Sequence, residues 1–222
     1  MPYRRYSGYR RRGGYRRRYP RRSTGGVDYI KMAKTAYSGV KYLKSLVNVE
    51  KHPHETNYNI TPDQTTGNFT CLNLIAQGDG TADRTGNRIK MFSTNANIRV
   101  TINSLASNTC VRIIMFMDRQ ANGSVPALSE LLNNGATIAN YNHDYAQRFP
   151  ILADRKVNLS ISGKQETTLR IYRKLGMHTD YDGATASAGD IVTNSLYIFI
   201  ISDEGTNTPT VVVRNQLLFV DN

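Results

Sequence analysis

The sequence predicts an all-β fold: an eight-stranded antiparallel jelly-roll sandwich preceded by a basic N-terminal arm and a short helix. Three observations predict it. From residue 45 onward, eight segments of strand composition alternate with turn-forming residues, and the connections between them are very uneven in length. The start of the chain is rich in arginine and tyrosine, and a segment with helical periodicity follows it. We therefore divide the chain into an arm at 1–26, an amphipathic connecting helix at 27–47 and a jelly-roll domain at 48–222.

The predicted strands differ in how their apolar residues are arranged. In one of them Ile98, Val100 and Ile102 alternate with polar residues, which indicates a strand with one covered face. Residues 111–117 and 196–201 are apolar almost throughout, as expected for strands covered on both faces. The eight predicted strands are residues 46–57, 69–77, 88–104, 110–119, 149–160, 165–175, 195–203 and 210–221.

Three of the connections are long. Residues 78–87 form a glycine-rich loop, and residues 177–189 form a loop of small residues. Residues 120–148 form the longest excursion, and a helical turn is predicted within it at 128–132. Uneven loops of this kind fit a two-sheet sandwich better than a simple meander.

Basic residues are concentrated at the N-terminus. The whole chain has a formal net charge of +12. Residues 1–44 carry 14 of the 29 lysines and arginines and one of the 17 acidic residues, for a net charge of +13. Residues 45–222 carry 15 basic and 16 acidic residues, for a net charge of −1. A strongly basic segment attracts polyanions, so the arm is the expected site for a polyanionic partner.

The arm combines ten arginines with five tyrosines and contains no lysine or acidic residue. Guanidinium groups grip phosphate bidentately, and phenol rings stack on unpaired bases of any sequence. Because the arginines repel one another and little can be buried, we expect the arm alone to be disordered. Its predicted nucleic-acid-binding residues are Arg4, Arg5, Arg10, Arg11, Arg12, Arg16, Arg17, Arg18, Arg21, Arg22, Tyr3, Tyr6, Tyr9, Tyr15 and Tyr19.

The predicted helix has two faces. Its apolar residues recur at helical spacing, which is typical of a helix that packs against the body of a protein. Lys31, Lys34 and Lys41 lie roughly opposite that stripe, and we expect them to meet the same polyanion as the arm. The stripe consists of Tyr29, Met32, Ala33, Ala36, Val40, Leu43 and Val47.

A basic run can also be a solvated tail or an import signal. Exclusive use of arginine, with tyrosines interleaved, favours nucleic-acid binding without sequence readout and leaves import as a second use. No segment has the pattern of a groove-reading helix, so single strands are favoured over duplexes. Counterion release would make the binding strongly salt-dependent.

The chain lacks the signals of a secreted or membrane protein. Cys71 and Cys110 both lie in apolar runs, and two cysteines are too few for a disulfide framework. We predict two buried free thiols and a reducing compartment. The basic start lacks the apolar core of a secretion signal, and the longest apolar run is too short to cross a bilayer, so no membrane partner is expected.

No pattern of catalytic residues stands out, and we predict that the protein is not an enzyme and uses no cofactor. His52 and His54 alternate on one strand face, as in some metal sites, but no further ligand cluster accompanies them. Asp180 and Asp182 match a fragment of a calcium loop without its distal glutamate. We predict no metal site from these residues, and leave open a cation between subunits near the two aspartates.

Four segments of the body follow the basic arm and helix in a distinctive order. They are LVNVEKHPHETN, RTGNRIKMFSTNANIRVTIN, CVRIIMFMDRQANG followed by PALSELL, and TVVVRNQLLFVDN. In this order the chain resembles the capsid proteins of small viruses with circular single-stranded DNA genomes, and its body is similar to the satellite-necrosis-virus type of jelly roll. The resemblance covers nearly the whole chain.

This resemblance implies a coat subunit of the virion that assembles with icosahedral symmetry, most simply as sixty copies. It implies sheets of strands B-I-D-G and C-H-E-F, lettered in chain order. The arm would line the shell interior and hold the single-stranded DNA genome, with the host nucleus as the place of assembly. A near-neutral body suits self-association, because a large net charge would oppose it.

Other interpretations of the sequence remain open. A cellular nucleic-acid-binding protein, ribosomal or RNA-packaging, would more often carry basic residues across its folded surface as well. A carbohydrate-binding jelly roll with a basic tail is disfavoured by the absence of tryptophan, and RNA is an alternative cargo. Five basic residues predicted in the B-I-D-G sheet either extend an inner basic surface or simply solvate the sheet and pair with acids. They are Lys90, Arg99, Arg170, Arg173 and Arg214.

Overall fold

A computed structural model describes residues 29–46 and 50–221, with the backbone alone for 41–46. The chain divides into two units, residues 1–48 and residues 49–222. The predicted arm at 1–26 lies outside the described residues, as do residues 27, 28 and 47 of the predicted helix. The boundaries assigned above between arm, helix and jelly roll remain a prediction.

A helix, α1, precedes the strands and spans Tyr29–Leu46. The side chains of residues 29–40 are all exposed, including the apolar Tyr29, Met32 and Val40 of the predicted stripe. Within the described residues, no helix has the length and apolar character that crossing a membrane requires.

The second unit consists almost entirely of strands. A short helix, α2 (Leu128–Leu131), occupies the predicted helical turn, and a 3-10 turn at Ala188–Asp190 precedes the seventh strand. The strands are β1 (His52–Ile60), β2 (Asn68–Cys71), β3 (Arg88–Thr101), β4 (Asn108–Asp118), β5 (Ile151–Ser160), β6 (Glu166–Tyr181), β7 (Ile191–Thr193), β8 (Ser195–Ser202) and β9 (Thr210–Asp221).

The strands form two antiparallel sheets. One has the order β1-β9-β3-β6-β7 and the other β2-β8-β4-β5. Apart from the three-residue β7 at one edge, these are the predicted B-I-D-G and C-H-E-F sheets, so the jelly-roll prediction is confirmed. The sandwich core lies between them, and Ile98 and Val100 point into it while Arg99 points out, as their alternation indicated.

Three strand boundaries differ most from the prediction, each by six residues. β1 begins at His52 because α1 continues to Leu46. β2 ends at Cys71. Leu72 and Ile75 beyond it are fully buried, but they belong to a loop and not to a strand. β6 continues to Tyr181, through the predicted loop, because its backbone keeps pairing with β3.

The extension of β6 passes a bulge. The register with β3 shifts between Met91 and Ser93, and Gly176 on β6 has a φ of 69° at this point. Glycine adopts that left-handed conformation without steric cost, so the pairing resumes beyond the bulge and reaches Arg88.

Strands β4 and β8 are buried on both faces, as their composition predicted. All eight residues of β8 are buried. One face of the β2-β8-β4-β5 sheet packs against the other sheet, and the excursion between β4 and β5 covers the opposite face. Leu131, Leu132 and Phe149 of that excursion belong to the same core, and Phe149 meets Phe116 of β4 edge to face at 5.5 Å.

Two charged networks fasten the excursion to the sheet. Arg112, whose side chain is 4% exposed, donates from Nη2 to Asp154 Oδ2 at 2.7 Å and from Nη1 to the Ala139 carbonyl at 2.5 Å. Tyr141 donates to the same carboxylate at 2.6 Å. Burial alone would raise the pKa of Asp154, but the hydrogen bonds from Arg112 and Tyr141 lower it.

The second network is centred on Asp118 at the end of β4. Its carboxylate is fully buried and accepts from Nε and Nη2 of Arg148, both at 2.9 Å. Arg148 also donates to Glu130 of α2 at 2.9 Å. A bidentate pair of this kind fixes the geometry as well as the charge, so it holds the end of the excursion against the sheet.

A further arginine, Arg84, is buried without a carboxylate partner within the described chain. The side chain of Arg84 is fully buried and lies 4.2 Å from the centre of the Tyr181 ring. Its nitrogens donate to the carbonyls of Ile75 at 3.1 Å, Gly86 at 2.7 Å and Gly183. It therefore ties the loop after β2 to the end of β6.

We expect Arg84→Leu to lower the free energy of unfolding by roughly 3 kcal/mol, because one buried and two partly buried carbonyls lose a charged donor. Urea unfolding followed by circular dichroism measures the change. Arg155→Leu is the matched control, because Arg155 is exposed on β5. Equal losses in the two variants would contradict the role assigned to Arg84.

Candidate nucleic-acid interface

The described chain contains only part of the predicted binding residues. Lys31 and Lys34 are exposed on α1. Lys41 belongs to the same helix, but its side chain lies outside the described residues. All predicted arginines and tyrosines of the arm lie outside them as well, so their role remains a prediction.

The described sandwich carries a basic surface of its own. It is the outer face of the β1-β9-β3-β6-β7 sheet, which points away from the core. Three of the five basic residues predicted for this sheet, Arg99, Arg170 and Arg214, are exposed there. We call this surface the arginine face.

Strand register places these arginines close together. Asn57, Arg214, Asn97 and Arg170 occupy directly opposed positions on β1, β9, β3 and β6 and form one row across the sheet. Arg99 lies in the next row and is a diagonal neighbour of both Arg214 and Arg170. Such neighbours on antiparallel strands lie about 7–8 Å apart.

The neighbours of the arginines on this face are mainly amides, and its two carboxylates, Glu55 and Glu166, accept hydrogen bonds from Gln216 and Thr101. The side chain of Arg170 donates from Nε to Asn95 Oδ1 at 2.8 Å. Gln216 donates to Glu55, the acidic residue on the adjoining row, at 2.9 Å. A shallow cavity of about 410 Å³ lies over this part of the sheet. Its lining includes Glu55, Asn57, Asn95, Asn97, Arg214 and Gln216.

Two of the predicted basic residues lie apart from this patch. Arg173 is half-buried and donates to the carbonyls of Leu152 on β5 and of its neighbour Tyr172, so it belongs to the edge between the sheets. The ammonium of Lys90 lies 5.6 Å from the centre of the Phe92 ring, at the bulge of β3. Bulge and edge geometry depend on pairing, which the sequence does not reveal.

The amides of this face were not predicted from the sequence, and neither was Tyr172, which is 47% exposed beside them. The available signal was the alternation of β1, β3 and β9, in which polar residues take every second position. Alternation predicts that one face is polar, but only the pairing of the strands shows that the amides and arginines share one patch.

His52 and His54, the pair considered for a metal site, have their surroundings within the protein itself. His52 Nδ1 lies 3.1 Å from the Thr81 carbonyl, and its ring lies 5.5 Å from that of Phe219. His54 Nε2 is buried and has no hydrogen-bond partner. Among the described residues, no three or more His, Cys, Asp or Glu side chains are grouped so that they could hold a metal ion.

The structure also shows the positions of Asp180 and Asp182, the two aspartates considered for a cation. Asp180 pairs with Arg88 at 2.7 Å and accepts from the Thr193 hydroxyl at 2.8 Å, so its carboxylate is already engaged within the chain. It lies on β6 rather than in a loop. Asp182 follows just beyond the strand, where its backbone N–H donates to the Asp190 carbonyl.

Both cysteines are free, but their burial differs. Cys71 is buried, and burial raises the pKa of its thiol to about 12. Cys110 is only half-buried, which corrects the expectation that both thiols are fully enclosed. It lies near the start of β4, where its backbone N–H donates to Asp203 Oδ1 at 2.7 Å.

The fold and this surface can be compared with known proteins. The satellite tobacco necrosis virus coat protein family matches residues 33–222. The chain belongs to this family. It is 30% identical over 164 residues to the coat protein of Maize white line mosaic Satellite virus, covering 71% of this chain and 74% of that protein. It is 31% identical over 133 residues to the capsid protein of Satellite tobacco necrosis virus 1, covering 59% and 66%.

Among solved structures, the decameric BFDV capsid protein is 9% identical, with a TM-score of 0.40 over 79% of this chain and all of that one. Membership of the satellite tobacco necrosis virus coat protein family makes this protein a viral coat protein of the satellite-virus type and a component of the virion. This confirms the predicted coat protein and its satellite-necrosis-virus type of jelly roll. The circular single-stranded DNA genome remains a prediction.

Burial of His54 predicts an acid-sensitive coat protein. Burial lowers the pKa of His54, against the opposing effects of the Ala82 carbonyl and Asp83. The unfolded chain therefore binds more protons than the folded chain below about pH 6.5. The contribution of this residue to stability is present above that pH and is lost as the pH falls through the folded pKa.

Urea unfolding between about pH 7.5 and 5 tests this. We expect His54→Gln to flatten the fall in the free energy of unfolding, whereas the exposed His143 changed to glutamine leaves it as in the wild type. An unchanged pH dependence in His54→Gln would contradict the prediction.

Proposed function

We propose that this coat protein assembles into an icosahedral shell of sixty copies and packages single-stranded DNA through its basic arm. Two observations support the proposal: membership of the satellite-virus coat protein family, and the separation of charge along the chain. Nearly all the excess positive charge precedes residue 45, while the remainder has a net charge of −1. A domain with almost no net charge can associate with identical copies, and the basic arm can bind a polyanion.

The total charge of the arms is sufficient to neutralise much of a packaged nucleic acid. Sixty arms with about ten to thirteen positive charges each bring on the order of 600–800 charges into one shell, enough to neutralise hundreds of phosphates. Arginine and tyrosine grip phosphates and stack on bases without reading sequence. The same segment would serve as the signal that carries the protein into the host nucleus for assembly.

The copy number has a direct measurement. Sixty copies of a 24.9 kDa chain give a protein shell of about 1.5 MDa with closed point-group symmetry. We expect sedimentation and electron microscopy of the expressed protein to show uniform particles of this mass. A persistent monomer at high concentration would contradict the proposed assembly.

We expect deletion of residues 1–22 to remove most of the nucleic acid from purified particles, because it removes ten of the arm's positive charges. Nuclease-protected nucleic acid per particle is the measurement. A matched variant changes the same ten arginines to lysine and is expected to retain most of the cargo, because it keeps the charge.

Full packaging by the deletion variant would contradict the role of the arm. Digestion of the extracted cargo with DNase or RNase identifies it. We expect DNase to degrade it, and a cargo sensitive only to RNase would replace DNA with RNA in the proposal.

A further inference from the structure

The arginine face has an unusual charge balance for part of a neutral domain. Arg99, Arg170 and Arg214 are exposed, and none of them takes part in an ion pair within the described residues. Elsewhere in the sandwich, Arg88, Arg112 and Arg148 all have carboxylate partners. The three arginines of this face are therefore available to an external anion, and the strand register groups them on one surface.

Their spacing makes an external anion favourable. The three positions are linked by diagonal neighbours about 7–8 Å apart, so the guanidinium groups repel one another. An anion placed among them is attracted by all three. One row of four strands spans roughly 14 Å, at about 4.8 Å between strands, so the patch suits an extended anionic chain better than a single small ion.

The uncharged groups of the face indicate which kind of anionic polymer would bind there. Asn57 and Asn97 lie in the same row as Arg214 and Arg170, and their side-chain amides have no hydrogen-bond partner within the described chain. Amides donate to and accept from base edges, and the exposed Tyr172 ring offers a surface for a base to stack on. An acidic peptide would pair with the arginines but would offer no bases to the amides and to the Tyr172 ring.

We propose that the arginine face is a second nucleic-acid site, on which a single-stranded polynucleotide lies with phosphates at Arg99, Arg170 and Arg214 and bases at the amides and Tyr172. This inference rests on the proposed function, since it requires the same cargo that the arm binds. It adds that the folded sandwich itself contacts the cargo and that this sheet faces the inside of the shell.

The test compares two full-length triple variants of equal charge. R99Q/R170Q/R214Q removes the arginines of the face. R119Q/K156Q/K164Q removes three exposed cations that belong to other parts of the sandwich. Binding of a fluorescein-labelled oligothymidylate is measured by anisotropy as each protein is diluted out of high salt. Circular dichroism checks that both variants are folded.

We expect the first variant to reduce the steepness of log K against log [salt] by about 2, since each phosphate contact on a single strand contributes about 0.7. At 0.1 M salt its affinity falls by roughly ten- to a hundredfold. The control variant changes the slope by much less, and R99K/R170K/R214K, which keeps the charge, retains most of the wild-type slope.

Ultraviolet crosslinking of bromouracil-substituted oligonucleotide gives a second readout, in which we expect a peptide containing Tyr172 to be labelled. Equal slopes in the two triple variants would overturn the inference. So would unchanged binding combined with a failure of R99Q/R170Q/R214Q to form particles, because the face would then contact a second copy of the chain. Absence of salt-dependent binding in the wild type would instead refute the proposed function itself.

Discussion

The structure depends on one constraint: strands β4 and β8 are apolar on both sides, so the sheet that contains them must be covered twice. The first cover is the other sheet. The second is the excursion between β4 and β5, which the Asp118–Arg148 and Arg112–Asp154 pairs hold in place. These pairs are mostly enclosed, and enclosed charges are tolerable only because each has a partner. The long excursion is therefore part of the core of the coat protein.

Covering one sheet twice leaves the two sides of the sandwich unlike each other. The side under the excursion is closed by apolar packing and paired charges. The opposite side, the outer face of the β1-β9-β3-β6-β7 sheet, has no such cover within the described residues and presents arginines and amides. Because its two sides differ, such a subunit can adopt one defined orientation in a shell, with one side inside and the other outside. We propose that the side rich in arginine faces the cargo that the arm binds.

The sequence predicted the fold because its strongest signals are local. Continuous apolar runs marked β4 and β8, alternation marked β3, and turn residues separated the strands. Signals that depend on pairing were missed: β6 extends through a polar segment because β3 offers it a partner, and β7 is three residues long. Similarly, the basic residues of the arginine face could be predicted, but its amides could not, since only the register of four strands brings Asn57 and Asn97 into one row. Arg84 was missed because nothing in the sequence distinguishes a buried arginine from an exposed one.

The most direct test of this account is the orientation of the sandwich in an assembled particle, determined by cryo-electron microscopy with the cargo inside. We expect the outer face of the β1-β9-β3-β6-β7 sheet to line the interior, with density for nucleic acid against Arg99, Arg170 and Arg214. A particle in which the excursion between β4 and β5 faces the cargo, and the arginines face the solvent outside, would contradict it.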